Sequence, residues 1–179
     1  MGSVRFFVVF VLVVLCVFSA SCFDRGKSAS IQAGDRLGDF RLETLAHDRF
    51  YLNAQRGKIV VLVFWSTDCK HCKKEMLDLN DAWNTKWKKS GVVLAAPCVN
   101  PEDVDEIRQF AENGSVVYPI LLDENMGVFR KYGFHFKPTT IVIDGQGVAR
   151  LVRFGYSDVI AGHIEDAVRN LLTGTPFDS

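Results

Sequence analysis

Two cysteines, Cys69 and Cys72, stand three residues apart in the stretch Ser66-Thr67-Asp68-Cys69-Lys70-His71-Cys72-Lys73-Lys74-Glu75. Thiols at that spacing can close a small disulfide ring, or one can attack a partner's disulfide while the other resolves the mixed disulfide. The chemistry needs a stabilised thiolate, and the flanking sequence provides one. Residues 59–64 form an unbroken apolar run rich in β-branched side chains, which reads as a strand buried on both faces. After the polar turn Ser66-Thr67-Asp68, apolar residues recur at helical spacing: Cys72, Met76, Leu79, Trp83 and Trp87. Cys69 therefore falls at a helix N-terminus, over unpaired N–H groups and the positive dipole end, with Cys72 one turn further in and partly covered. Lys70 and His71 add to the thiolate's stability and Asp68 opposes it, so the signs conflict and composition does not set the redox potential.

Rival readings of the pair carry less. A closed zinc site needs two more ligands, yet there is no second Cys-x-x-Cys, and His47, His135 and His163 stand singly. Two structural buried cysteines sit poorly in a polar turn flanked by Lys70, His71, Lys73 and Lys74. The peroxidatic motif of peroxiredoxins wants a proline seven residues before its cysteine, where this chain has Leu62. A thiol peroxidase, and a non-enzymatic binding module with bystander cysteines, are the alternatives to dithiol exchange.

The chain has 179 residues and a formal net charge of zero, enough for one domain with a real core and no electrostatic footprint for nucleic acid. Residues 1–21 read as a signal peptide: Arg5 is the positive region, 6–18 the apolar run, and Ser19-Ala20-Ser21 small residues ahead of Cys22. The pattern is similar to a lipobox with Ser19 in place of the usual leucine, and makes Cys22 the expected lipid-attachment site. Ordinary cleavage with soluble export, and a retained single-pass anchor, stay open. All three put the domain outside the cytoplasm, in the periplasm, where disulfides persist. Residues 22–33 read as a tether and 34–179 as the domain. Cys16 lies in the apolar run, and Cys98 is left over without a partner.

The elements that must position the dithiol follow in order. An N-terminal hairpin spans 40–45 and 50–52, then come the 59–64 strand and a helix ended by Ser90-Gly91. A second buried strand covers 92–96, with Pro97-Cys98-Val99 as its exit. Asn100-Pro101-Glu102-Asp103 predicts a helix start with Asn100 as N-cap. A short strand (119–122), a short helix (125–132), a β-hairpin (139–143 with 148–154) and a closing helix from Ser157 to Gly174 complete the chain. This order predicts an α/β, thioredoxin-like fold: a mixed central sheet flanked by helices, extended by the N-terminal hairpin.

From about Gly34 to Leu172 the chain resembles the TlpA/ResA-like thioredoxin-fold thiol–disulfide oxidoreductases, exported and membrane-tethered proteins of bacteria. Three segments carry the resemblance: Gly57 through Glu75, Tyr132 through Gly147, and Gly34-Asp35-Arg36-Leu37-Gly38-Asp39-Phe40-Arg41-Leu42. It implies that Cys69 and Cys72 are the catalytic redox disulfide and that Pro138 is a cis-proline facing it. A cis Lys137–Pro138 turn would expose the Lys137 backbone to an extended partner chain. It implies for Glu75 a proton-transfer role beside Cys72. No metal or organic cofactor is expected. The partners implied are protein disulfides or dithiols and a membrane electron donor or acceptor, met by a monomer acting as reductant in disulfide maintenance or cytochrome c maturation. His71, in the second intervening position, resembles oxidising DsbA-type motifs instead.

Overall fold

The computed structural model describes residues 30–175. The expected signal peptide, Cys22 and the tether up to residue 29 lie outside the described residues. Within them the chain already touches the domain before Gly34: the Ile31 N–H donates to the Tyr132 carbonyl at 3.0 Å.

Seven strands form one sheet in the order β2-β1-β5-β4-β3-β6-β7. They are β1 (Arg41–Thr44), β2 (Arg49–Tyr51), β3 (Val60–Phe64), β4 (Val93–Cys98), β5 (Ile120–Leu122), β6 (Thr139–Ile143) and β7 (Ala149–Phe154). β3, β4 and β5 run parallel, joined by α1 (Lys70–Ala82) and α2 (Val104–Asn113). The other pairings are antiparallel: β6 on β3, β7 on β6, and the hairpin β1–β2, which joins the sheet through β5. α3 (Gly127–Lys131) and α4 (Asp158–Thr173) follow among the described residues. This is the thioredoxin-like arrangement the element order predicts.

β3 shows why its sequence is apolar throughout. Alternate side chains enter different cores. Val61, Val63 and Trp65 pack with Cys72, Met76 and Leu79 of α1, Ile107 of α2 and Ile164 and Val168 of α4. Val60, Leu62 and Phe64 pack on the other face with Phe40, Phe50, Phe129, Tyr132 and Phe134. No helix among the described residues is long and apolar enough to cross a membrane.

Two local expectations change. β4 continues through Pro97 to Cys98 instead of ending at Ala96. Proline keeps its place because its carbonyl still accepts the Trp65 N–H at 3.0 Å, and Trp65 bridges Cys98. The N-cap of α2 is Asp103, whose Oδ1 accepts the Glu106 N–H at 2.9 Å, and not Asn100. The Asn100 side chain is engaged elsewhere, as the site shows.

Candidate active site

β3 delivers the chain into the loop that carries the cysteines. The Trp65 indole donates to the Ala96 carbonyl at 3.3 Å, fixing the strand end. The Cys69 N–H donates to the Ser66 carbonyl at 3.2 Å, and the Thr67 N–H to Asn100 Oδ1 at 3.2 Å. Asn100 thus ties the cysteine loop to the end of β4, which is why it does not cap α2. Cys69 is the N-cap of α1, in extended conformation, and its Sγ accepts the Cys72 N–H at 3.1 Å. The two sulfurs are bonded, with Cα atoms 5.2 Å apart. Cys69 is half-buried, whereas Cys72 is fully buried against the α1 core. A helix-terminal N–H aimed at Cys69 Sγ would stabilise negative charge there once the bond opens.

Lys137–Pro138 is a cis peptide. Pro138 stands at the head of β6, one residue before Thr139, which pairs with Phe64. The register therefore sets it at the same end of β3 as the cysteine loop. Lys137 Nζ lies 3.8 Å from Asp68 Oδ1, linking the proline turn to the residue before Cys69. The Ser66 hydroxyl, and behind it Lys137, hold the Asp68 carboxyl below the usual range despite slight burial.

The basic residues around the motif are largely matched. Lys73 pairs with Glu106 at 3.1 Å, and Lys74 with Asp78 at 3.2 Å and Asp158 at 3.4 Å. Exposed His71 stacks on the Tyr156 ring, with centroids 5.8 Å apart and planes at 7°. The Tyr156 hydroxyl in turn bonds Lys74, Asp78 and Asp158.

Glu75 is not solvated: it is 0 % exposed, one turn after Cys72 on the covered face of α1. Oε1 accepts a hydrogen bond from the Thr140 hydroxyl of β6, while Oε2 has no partner among the described residues. Burial pushes its carboxyl up to about 7; the Thr140 bond works against this and the charge of Asp78 adds to it. Cys98 is buried in β4 with Sγ 3.6 Å from Asn100 Oδ1, and burial pushes its thiol up to about 11. Cys69, Cys72, Glu75, His71, Lys137 and Pro138 thus converge at one end of the sheet; Cys98, buried at the end of the neighbouring β4, bridges Trp65 and contacts the Asn100 that holds the loop.

Sequence reading missed Thr140, Asn100 and Tyr156. Thr140 had a signal, being polar within a strand read as buried, where a hydroxyl must find a partner. Tyr156 had none, since its contacts join segments about eighty residues apart. Among the described residues no group of three or more His, Cys, Asp or Glu side chains is placed to hold a metal ion.

A thioredoxin-like fold with a disulfide at the β3–α1 junction and a cis-proline at the head of β6 defines a dithiol redox protein. The comparisons narrow this. The chain belongs to the AhpC/TSA family, which matches residues 33–152, and within it to the ResA-like thiol–disulfide oxidoreductases. It is 32% identical over 129 residues to the thioredoxin-like protein YneN of Bacillus subtilis, covering 72% of this chain and 75% of that one. To the thiol-disulfide oxidoreductase ResA of Geobacillus thermodenitrificans it is also 32% identical over 129 residues, covering 72% and 73%. The fold is similar to the thioredoxin domain of a thiol-disulfide oxidoreductase from Bacteroides vulgatus, with TM-score 0.68 and 20% identity over 78% of this chain and 99% of that one. The protein is a thiol–disulfide oxidoreductase.

Proposed function

We propose that this enzyme is an exported reductant of protein disulfides in which Cys69 attacks and Cys72 resolves. The observation that carries the reading is the asymmetry of the pair. Cys69 is half-buried and its Sγ accepts the Cys72 N–H, while Cys72 is fully buried in the core. Glu75 takes the proton of Cys72 during resolution and returns it in the reverse step. The Lys137–Pro138 turn receives the partner's extended backbone beside Cys69.

The reductant direction is supported by the charge pattern. Lys73, Lys74 and Lys137 each meet a carboxylate, and Asp68 adjoins Cys69. A thiolate without strong net stabilisation gives up electrons readily. The domain acts outside the cytoplasm as a monomer, tethered by a lipid on Cys22, and draws electrons from a membrane donor. Cytochrome c maturation is the first substrate class to test.

The experiment is thiol titration followed by disulfide exchange with a reduced, full-length protein. Two thiols should appear on reduction and vanish on exposure to an oxidised protein, and Cys69→Ser should abolish the exchange. A wild-type protein that cannot cycle would sink the reading. Turnover of hydrogen peroxide with a thiol reductant, faster than turnover of protein disulfides, would favour the peroxidase instead.

A further inference from the structure

We propose that Thr140 is a positioning residue for the exchange reaction: its hydroxyl holds one carboxylate oxygen of Glu75, leaving the other free for the proton of Cys72. This deepens, and rests on, the reading of Glu75 as the proton carrier.

Geometry carries the inference. Glu75 and Cys72 are both fully buried on the same face of α1, at the i, i+3 spacing that makes side chains neighbours. Oε1 is held by the Thr140 hydroxyl, yet Oε2 is buried with no partner among the described residues. A buried carboxylate oxygen without a protein partner is rare and costly, and a proton taken from Cys72 would satisfy it. Thr140 is well placed for the task. It lies on β6 two residues after Pro138, opposite Val63 of β3 and Arg153 of β7. The strand that would present a partner to Cys69 therefore also grips the carboxylate behind Cys72.

The surroundings leave Thr140 as the group that tunes this carboxyl. Asp78, on the same helix, is a like charge that opposes ionisation. Tyr118 faces Glu75 from the segment before β5, but its hydroxyl donates to the Met76 carbonyl at 2.8 Å. From α4 the buried side chains are Ile160, Ile164, Ala167 and Val168, all apolar. A hydrogen bond to the ionised form opposes burial and keeps Glu75 near neutrality, where it can pass a proton in either direction.

With Cys69 joined to a partner sulfur, the Cys72 thiol gives its proton to Glu75. The Cys72 thiolate attacks Cys69 Sγ, forming the Cys69–Cys72 bond and breaking the bond to the partner. The partner leaves as a thiolate and takes a proton from solvent. Two electrons pass from the enzyme dithiol to what was the partner's disulfide.

The test reads this step directly. Reduced full-length protein is mixed with dithiobis-nitrobenzoate, and the second release of coloured thionitrobenzoate, which reports attack by Cys72, is followed across pH. In the wild type the rate should rise through a midpoint near 7, where Glu75 ionises. T140V should move that midpoint up by about one pH unit, because it removes a hydrogen bond to the charged form. T140S, which keeps the donor, should restore it. E75Q should lose the midpoint and slow the release about a hundredfold. The ionisation of Glu75, followed by carbon NMR of its carboxyl, should shift in T140V as the kinetics do; T140A serves if T140V does not fold. A T140V profile that overlays the wild type while E75Q loses the midpoint would overturn the role of Thr140 alone. An E75Q profile that overlays the wild type would overturn the proton-carrier reading itself. A T140S midpoint displaced as far as that of T140V would show that the hydroxyl is not what matters.

Discussion

Glu75 and Cys98 are both ionisable groups sealed in the same core, and burial acts on both by disfavouring the charged form. For Glu75 the consequence reaches stability. Its carboxyl titrates at about 7 in the fold against 4.5 when free, so the folded protein binds the proton more tightly. The stabilisation is fully present below pH 4.5 and is lost as pH rises through 7. Glu75→Gln removes that dependence. Denaturation of the oxidised protein should show the variant gaining on the wild type between those limits, reaching about 3 kcal/mol at pH 8. An unchanged difference across the range would refute the buried, ionising carboxylate. Cys98 offers a kinetic readout. Its thiol, raised to about 11 from 9.0, should alkylate at least about a hundredfold more slowly in native protein at pH 8 than in urea-unfolded protein. Equal rates would mean that the thiol is open to solvent.

At the scale of elements, the start of α2 separates two roles that the sequence places side by side. Asp103→Ala should cost about 1 kcal/mol of stability in urea, the usual value of an N-cap, and leave disulfide exchange near the wild-type rate. Asn100→Ala spares the cap but frees Thr67, so its larger effect should fall on exchange kinetics. The opposite pattern would restore Asn100 as the cap. This pair also shows what the sequence could and could not disclose. Asn-Pro-acid-acid is a sound helix start on local grounds, and the tertiary demand of the cysteine loop for an acceptor outweighed it. β3, the Cys69 N-cap, the β6–β7 hairpin and the last helix with Gly174 at its C-cap were legible because their signals are local: apolar runs, periodicity and turn residues. Pro97 inside β4 was not, because its tolerance depends on a carbonyl bond to a neighbouring strand. The burial of Glu75 was half legible, since its position three residues after Cys72 places it on the covered face. Its partner on β6 is sixty-five residues away, beyond any local pattern.

For the whole molecule, the sheet sets the dithiol at the rim between two cores. One face of β3 seats α1 and with it Cys72; the other is filled by aromatic side chains that brace the strand from beneath. The rigid strand end and the buried second cysteine together make the pair asymmetric. Outside the described residues, Cys22 is proposed as the first residue of the mature protein and the carrier of a lipid. Intact-mass spectrometry of protein from membranes should show that species, and a mass retaining Met1 or an unmodified cleaved terminus would reject it. The asymmetry of the dithiol is the claim on which the mechanism rests. Its most direct test is a non-reducing gel of Cys72→Ser and Cys69→Ser, each incubated reduced with an oxidised protein substrate. Mixed disulfides should form on Cys72→Ser, held through Cys69, and almost none on Cys69→Ser. Equal trapping by the two variants, or faster trapping through Cys72, would contradict it.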